Sequence, residues 1–416
     1  QRVYHRRLSA VAVERPVFVA GLPRAGTTLV LELLSRLPEF ATHTYRHMPF
    51  VLCPLLWDTV SRPFRRASRL RERAHGDGVR IGYDSPEAFE EVVWKAHWPD
   101  KYLDDRIEPW SWSDRNPAFE AFLRRHMCSI LALRQRRGGG PRRYLSKNNA
   151  NIARIGLLLS LFPDCRIVIP VREPRSHVAS LLRQQHRFLE LQQRDVFARR
   201  YMESLGHHEF GLSIKPLDLG GWLGDAAARD PLHRRFWLQY WYHAYSAVLK
   251  AAAGNVVLLD YDALCRAPAA TLRELARALD VESDGELIAQ LPRVRPPTAY
   301  PRGADPGNDA DLLQCVQRLY RQLRIASVGG IRGVARGIGA ADRRQHQRLD
   351  LGAAHVGAHA LERLLGGSDH RILRLAQPRK QARRGRQALL VEGLAQHRTE
   401  HGVGRFIDVA LGLLDA

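Results

Sequence analysis

The stretch Gly21-Leu22-Pro23-Arg24-Ala25-Gly26-Thr27-Thr28 decides the fold. Ahead of it, Pro16-Val17-Phe18-Val19-Ala20 is a short apolar run of the kind a buried parallel strand requires. Behind it, Leu29, Val30, Leu31, Leu33, Leu34 and Leu37 recur at helical spacing until Pro38 stops the pattern. The segment reads strand, glycine loop, helix. Amides of such a loop point inward and the helix N-terminus adds about half a positive charge, so the segment is a cradle for an anion. A glycine turn without a ligand is the bland alternative, and the agreement of strand, loop and helix weighs against it. The spacing is close to the phosphate loop G-x-x-x-x-G-K-[ST], but Thr27 stands where lysine would grip a nucleoside triphosphate. A mid-loop cation, Arg24, and the hydroxyls of Thr27 and Thr28 take its place. The geometry suits a phosphate-like group; the chemistry argues against an ordinary ATPase.

The 416 residues suffice for one large core or two modest ones. Hydrophobic content of 45% and charged content of 26% are ordinary for a globular protein, whereas the net charge of +21 is not. Arginine dominates that charge. Basic residues run along the whole chain, in no single stripe and without aromatics between them, which favours anionic ligands and compositional habit over a nucleic-acid surface. The five cysteines are odd in number, widely spaced and free of CxxC pairs, so neither a disulfide framework nor a zinc site is expected. No apolar run is long enough to span a bilayer, and no signal peptide is visible, although the chain starts at Gln1. A reduced cytoplasm is the expected location.

Further along, Phe40–Phe50 is a polar and aromatic stretch that carries His43 and His47, an acid–base candidate pair beside the anion loop. Ser85-Pro86 reads as a helix start, with Glu90 and Glu91 as acidic site candidates or, preferably, a solvated face. The tryptophans 94, 98, 110 and 112 read as a packing or acceptor-site wall. A helix over 117–134 is followed by a strand, Arg143–Lys147, that delivers Lys147 at its tip. A third strand, Arg166–Val171, ends in Arg172, with Ser180 about two helical turns further on. Residues 186–225 read as a polar, glycine-rich excursion or lid, with His207 and His208 unassigned. A long helix over 231–253, a fourth strand Val256–Asp260 tipped by Tyr261, and a helix near 268–279 complete the pattern.

Together, the loop Gly21–Thr28, the Lys147 strand, Arg172 with Ser180 eight positions on, and Leu259-Asp260-Tyr261-Asp262-Ala263-Leu264 resemble the sulfotransferases that use 3′-phosphoadenosine-5′-phosphosulfate (PAPS). The likeness is to their bacterial, carbohydrate and tyrosylprotein branches and runs from about residue 15 to 280. It implies an α/β fold, a P-loop-type parallel β-sheet flanked by helices, with helical acceptor-site insertions. It implies that Gly21, Pro23, Arg24, Ala25, Gly26, Thr27 and Thr28 bind the 5′-phosphosulfate. Arg172 and Ser180 would hold the 3′-phosphate, Tyr261 would lie near the adenine, and Lys147 would neutralise the sulfonate and bridging oxygen. The base departs from the pattern. Relatives use Glu or His soon after the first helix or a His beside the lysine, but here Asn149 lies beside Lys147, and His47, backed by His43, is the candidate.

The expected function is transfer of a sulfonate group from PAPS to a hydroxyl or amine of a small-molecule or glycan acceptor, without metal and without a specific nucleic-acid partner. A P-loop kinase or nucleotide hydrolase, and a catalytically dead polyanion-binding relative, are the competing readings. The expected division is a sulfotransferase domain over 1–300 and a basic Arg/Gly-rich tail over 301–416. From about Gly329 the tail is nearly free of aromatics, which reads as an appended basic region or, preferably, as the product of a frame slip in a G+C-rich gene.

Overall fold

The computed structural model describes residues 8–9, 11–65, 70–72, 80–135, 140–224, 229–251, 254–295 and 309–330. The chain divides into two units, residues 1–70 with 81–333 and residues 71–80 with 334–416. Of the second, the described part is a short strand, Arg71–Glu72, with Arg80. The expectation of a frame-slipped tail beyond about 329 falls almost wholly outside the described residues.

The first unit is built on a parallel sheet. Its strands are β1 (Val17–Val19), β2 (Phe40–Ala41), β3 (Arg143–Lys147), β4 (Arg166–Val171) and β5 (Val256–Asp260). Their order is β2-β3-β1-β4-β5, with every pairing parallel. The apolar run before the glycine loop therefore becomes the central strand, with Val19 opposite both Lys147 and Val168. Helices flank the sheet: α1 (Thr27–Leu34), α2 (Pro54–Ser61), α3 (Glu91–His97), α4 (Pro117–Arg134), α5 (Ile155–Leu161) and α6 (Pro174–Arg194). They continue with α7 (Val196–Leu205), α8 (Arg234–Ala251), α9 (Tyr261–Arg266), α10 (Pro268–Ala278), α11 (Asp284–Ile288) and α12 (Ala310–Ala326). Val30, Leu31, Leu33 and Leu34 of α1 pack with Val17, Val19, Leu145, Leu259, Leu272 and Leu275 in one core cluster. Each such side chain contributes about 1.5–3 kcal/mol on burial. Because the strands are parallel, their carboxyl ends deliver Gly21, Lys147, Arg172 and Tyr261 to one edge of the sheet.

Several elements differ from the sequence reading. The helix expected from Ser85 starts only at Glu91. Ser85 is instead part of a turn: its hydroxyl accepts from the Gly82 amide at 3.0 Å, and its carbonyl accepts from Tyr45. The excursion expected over 186–225 is helical as far as Leu205. Buried glutamines on the inner face of α6 hide the apolar period there. Gln185 and Gln192 are spent on backbone, with Gln185 bonding both the amide and the carbonyl of Gly211 and Gln192 accepting from Leu212. Helix α12, assigned by sequence to the tail beyond 300, packs in the first unit. It buries Leu312, Leu313, Val316, Leu319 and Leu323, and Val328 then pairs with Leu259 along the edge of β5.

Candidate functional site

The glycine loop is held in an uncommon backbone shape. Gly21, Arg24 and Gly26 have φ of 138°, 69° and 104°. A positive φ at arginine is unusual and must be imposed by surroundings. The surroundings are visible. Arg172, just past β4, donates from Nη1 to the Arg24 carbonyl at 3.0 Å. His177 on α6 donates from Nε2 to the Pro23 carbonyl at 2.8 Å. The Arg24 side chain donates from Nε to Ser180 Oγ at 3.4 Å. Burial, reinforced by Arg172 and Arg24, pushes the His177 imidazole down to about 3, so it sits neutral in this cationic corner.

Gly26 shows why glycine is needed at the second turn of the loop. A Cβ there would lie 2.4 Å from Tyr261 Cδ2, and the φ is one that side chains rarely adopt. Tyr261 opens α9 directly after β5, where Asp260 caps the helix by accepting from the Ala263 amide at 2.9 Å. Its ring stacks against the loop, and the Arg172 guanidinium lies 5.4 Å from its centre. The structure thus brings Gly21, Pro23, Arg24, Gly26, Arg172, Ser180 and Tyr261 together at one corner.

Beside the loop lies a pocket lined by Gly21–Pro23, Lys147–Ala150, Glu91, Gly206–Glu209 and Lys215–Leu217 among others. Lys147 lines it, and two carboxylates and an imidazole, Glu87, Glu209 and His207, lie within electrostatic reach of Lys147 and of one another. Glu209 Oε1 accepts from Asn149 Nδ2 at 2.9 Å, and its Oε2 lies 3.6 Å from His207 Nδ1. Asn149 Oδ1 in turn accepts from Thr27 Oγ1 at 3.2 Å. Burial raises the Glu209 carboxyl, but His207, Lys147 and Asn149 outweigh it and hold the group well below the usual carboxylate range. Burial lowers the His207 imidazole, and Glu209 and Glu87 reverse this to a net upward shift.

His47 is elsewhere. It lies on a short 3-10 turn, Tyr45–Phe50, and its Nδ1 accepts from the Thr44 amide at 3.2 Å, closing the turn as a cap. Its ring sits 5.7 Å from that of His43, which meets His126 through Nε2 atoms 3.0 Å apart. Burial drives His47 down to about 4. It is not among the residues lining the cavity. The sequence reading also missed that Glu90 and Glu91 face inward. Glu90 takes hydrogen bonds from Trp94, Asn151 and Tyr144. Glu91 takes two from Arg154, at 2.6 and 2.9 Å, and one from Asn148. Arg154 is fully buried between the rings of Trp94 and Trp110, at 4.2 and 4.0 Å. That pair gives the tryptophan wall its purpose, while Trp112 lies 68% exposed outside it. Nothing in the sequence distinguished His207 or Glu209; only the fold places them beside Lys147.

Residues 16–214 match the family described as the sulfotransferase family. That segment, just under half of the chain, is similar to the sulfotransferase family. The matched range includes the loop, Lys147, Arg172, Ser180, His207 and Glu209, and ends before Tyr261. Sulfotransfer is the activity this match supports. Among solved structures, sulfotransferase STF9 from Mycobacterium avium is 16% identical over 76% of this chain and 78% of its own, with a TM-score of 0.41. Sulfotransferase STF1 from Mycobacterium tuberculosis H37Rv is 15% identical over 77% and 79%, with a TM-score of 0.39. A sulfotransferase from Alicyclobacillus acidocaldarius is 14% identical over 75% and 96%, with a TM-score of 0.34. No curated protein sequence matches the chain. Among the described residues no helix is long and apolar enough to cross a membrane, and no three ligating side chains are grouped to hold a metal ion.

Proposed function

We propose that this sulfotransferase draws its sulfonate from PAPS and delivers it to a hydroxyl or amine of a small-molecule or glycan acceptor. One observation carries the reading: Arg24, Arg172 and Ser180, distant in sequence, meet at a left-handed glycine loop roofed by Tyr261. The donor set fits a nucleotide with phosphates at both ends of its ribose. The loop Gly21–Thr28 and the first amides of α1 suit the 5′-phosphosulfate. Arg172 and Ser180 suit the 3′-phosphate, with charge-assisted bonds, and Tyr261 suits the adenine face. PAPS supplies an activated sulfonate, and the charge on its leaving phosphate is met by Lys147 and Arg24 rather than by a bound metal. As in phosphoryl transfer, the chain's work is positioning and charge stabilisation. The five separate thiols fit a reducing compartment, and we assign the reaction to the cytoplasm on that ground.

Calorimetric titration with adenosine 3′,5′-bisphosphate beside ATP–Mg²⁺, on the wild type and on Arg172→Ala, tests this. Micromolar binding of the bisphosphate, strongly weakened in the variant and absent for ATP–Mg²⁺, is the expected result. Preference for ATP–Mg²⁺ would replace the reading with a kinase, and binding of neither by folded protein would indicate a dead relative.

A further inference from the structure

We infer that His207 is the base that takes the acceptor's proton, and that Glu209 and Asn149 are positioning residues that orient it and tie it to the donor loop. The inference rests on the reading of the site just given.

The argument begins with what is already occupied. Glu87 has both carboxylate oxygens engaged, one by the Tyr45 hydroxyl and the other by the Ala88 amide at 2.7 Å, and it is not among the cavity-lining residues. Glu209 lines the cavity, but Asn149 holds one oxygen and His207 Nδ1 faces the other. His207 lines the cavity as well, and with Nδ1 turned to Glu209 its Nε2 is the atom left for a substrate. A carboxylate at Nδ1 fixes the neutral imidazole as its Nδ1–H form and keeps the Nε2 lone pair open, the arrangement a general base requires.

The support beneath the pair is rigid. Gly206 ends α7 with a φ of 79°, and a Cβ there would lie 2.6 Å from Glu91 Cγ. Lys215 donates its amide to the His208 carbonyl at 2.8 Å, and Gln185 and Gln192 clamp Gly211 and Leu212. From His207 a continuous line of contacts runs through Glu209 and Asn149 to Thr27 Oγ1, the first residue of α1 and a member of the phosphosulfate loop. Asn149, two residues past Lys147, thus connects the base to the loop.

In the reaction, the acceptor oxygen forms a bond to sulfur as the sulfur–oxygen bond to the 5′-phosphate breaks. The hydroxyl proton passes to His207 Nε2, and the electron pair of the broken bond leaves on the phosphate, beside Lys147. The imidazolium so formed is stabilised by Glu209 and Glu87 and opposed by Lys147, the charged groups that face it. Activity should therefore rise with pH through a value above 6.5, as the resting imidazole loses its proton.

Imidazole ¹H–¹⁵N spectra of the wild type, titrated with and without adenosine 3′,5′-bisphosphate and assigned with His207→Gln, provide a readout apart from turnover. The expected result is a neutral Nδ1–H form for His207 that titrates above 6.5, and downward movement of that titration in Glu209→Gln. A neutral Nε2–H form, or titration below 6.5, overturns the inference. In parallel, PAPS-dependent sulfonation of 2-naphthol should fall about 10²–10⁴-fold in His207→Ala while bisphosphate affinity stays within about threefold. An unchanged rate overturns it, as does an equal loss in Glu87→Gln accompanied by a reversed His207 tautomer. If 2-naphthol is not an acceptor, the tautomer decides alone. Failure of the wild type to bind the bisphosphate would instead remove the nucleotide reading, which separates the two outcomes.

Discussion

Arg24 and Ser180 lie 156 residues apart in the chain, yet Arg24 Nε donates to Ser180 Oγ at 3.4 Å. One comes from the loop after β1 and the other from the second turn of α6, so the contact measures how closely two loop-and-helix units have been brought together. With Arg172 on the Arg24 carbonyl, two cations and a hydroxyl converge in this corner before any ligand arrives. Replacing Arg172 by alanine removes a charge and the brace on the loop at once. Loss of about 1.5–3 kcal/mol, or roughly 10–100-fold in bisphosphate affinity, is expected from calorimetry.

Gly26→Ala tests the loop from its other side. The new methyl would meet Tyr261 and impose a disfavoured φ. A fall in thermal stability corresponding to about 1–3 kcal/mol is expected, along with impaired nucleotide binding. Pairing it with Tyr261→Ala relieves the collision but not the φ, so the double variant should recover stability only in part. Full recovery would mean that the backbone strain is negligible.

Lys147 stands at the tip of β3 beside the cavity. In the proposed reaction it stabilises charge as the leaving phosphate departs, an interaction stronger in the transition state than in the ground state. Lys147→Ala should lower kcat by about 10²–10³-fold and change the bisphosphate Kd much less. A Kd that rises as steeply as kcat falls would make Lys147 a ground-state binder.

The Glu91–Arg154 pair is buried, doubly hydrogen-bonded and enclosed by tryptophans. Glu91→Ala leaves a guanidinium stranded in the core and should cost about 3–5 kcal/mol in urea denaturation. Replacing both partners by apolar residues of similar size should cost far less. Equal losses in the single and double variants would show that the pair is not what holds this wall.

Histidines other than His207 set the acid limit of folding. His126 and His177 are pushed down to about 3 and His47 to about 4, each chiefly by burial. Their folded pKa values lie below the unfolded value near 6.5, so between about pH 4 and 6.5 the unfolded chain binds more protons. Stability is fully present above that window and falls as pH drops through it, by about 1.4 kcal/mol per pH unit for each such group. Urea midpoints measured from pH 7.5 to 4.5 should trace that fall, and His126→Gln should make it shallower.

The sequence was most legible where local pattern and chemistry coincide. Val17–Val19, Arg143–Lys147, Arg166–Val171 and Val256–Asp260 are short apolar strands with charged or polar tips, and all four stand where the pattern put them. The loop Gly21–Thr28 and the Arg172–Ser180 pair are visible in the sequence because each is a short local motif, and the nucleotide roles proposed for them rest on the family resemblance. The acceptor side was opaque for a physical reason. Its residues sit on irregular segments fixed by long-range side-chain bonds: Gln185 and Gln192 to Gly211–Leu212, Asn149 to Glu209, and Arg154 to Glu91. Polar residues buried in this manner look like surface in a linear pattern. That is why Glu90 and Glu91 read as solvated, α7 read as an excursion, and His47 seemed the better base.

Strand β5, which ends at the start of Tyr261's helix, is completed only by chain made much later. Val328 donates its amide to the Leu258 carbonyl at 2.8 Å and accepts from the Asp260 amide at 3.0 Å, while Arg324 binds the Asp260 carboxylate at 2.7 Å. Synthesis therefore delivers the phosphate loop first and the last support of its tyrosine roof some three hundred residues afterwards. A nascent chain halted near residue 295 has every group proposed to touch the nucleotide but lacks the piece that locks one of them in place. Ligand affinity on the ribosome should accordingly mature in a late step, after the segment through Val328 has cleared the exit tunnel.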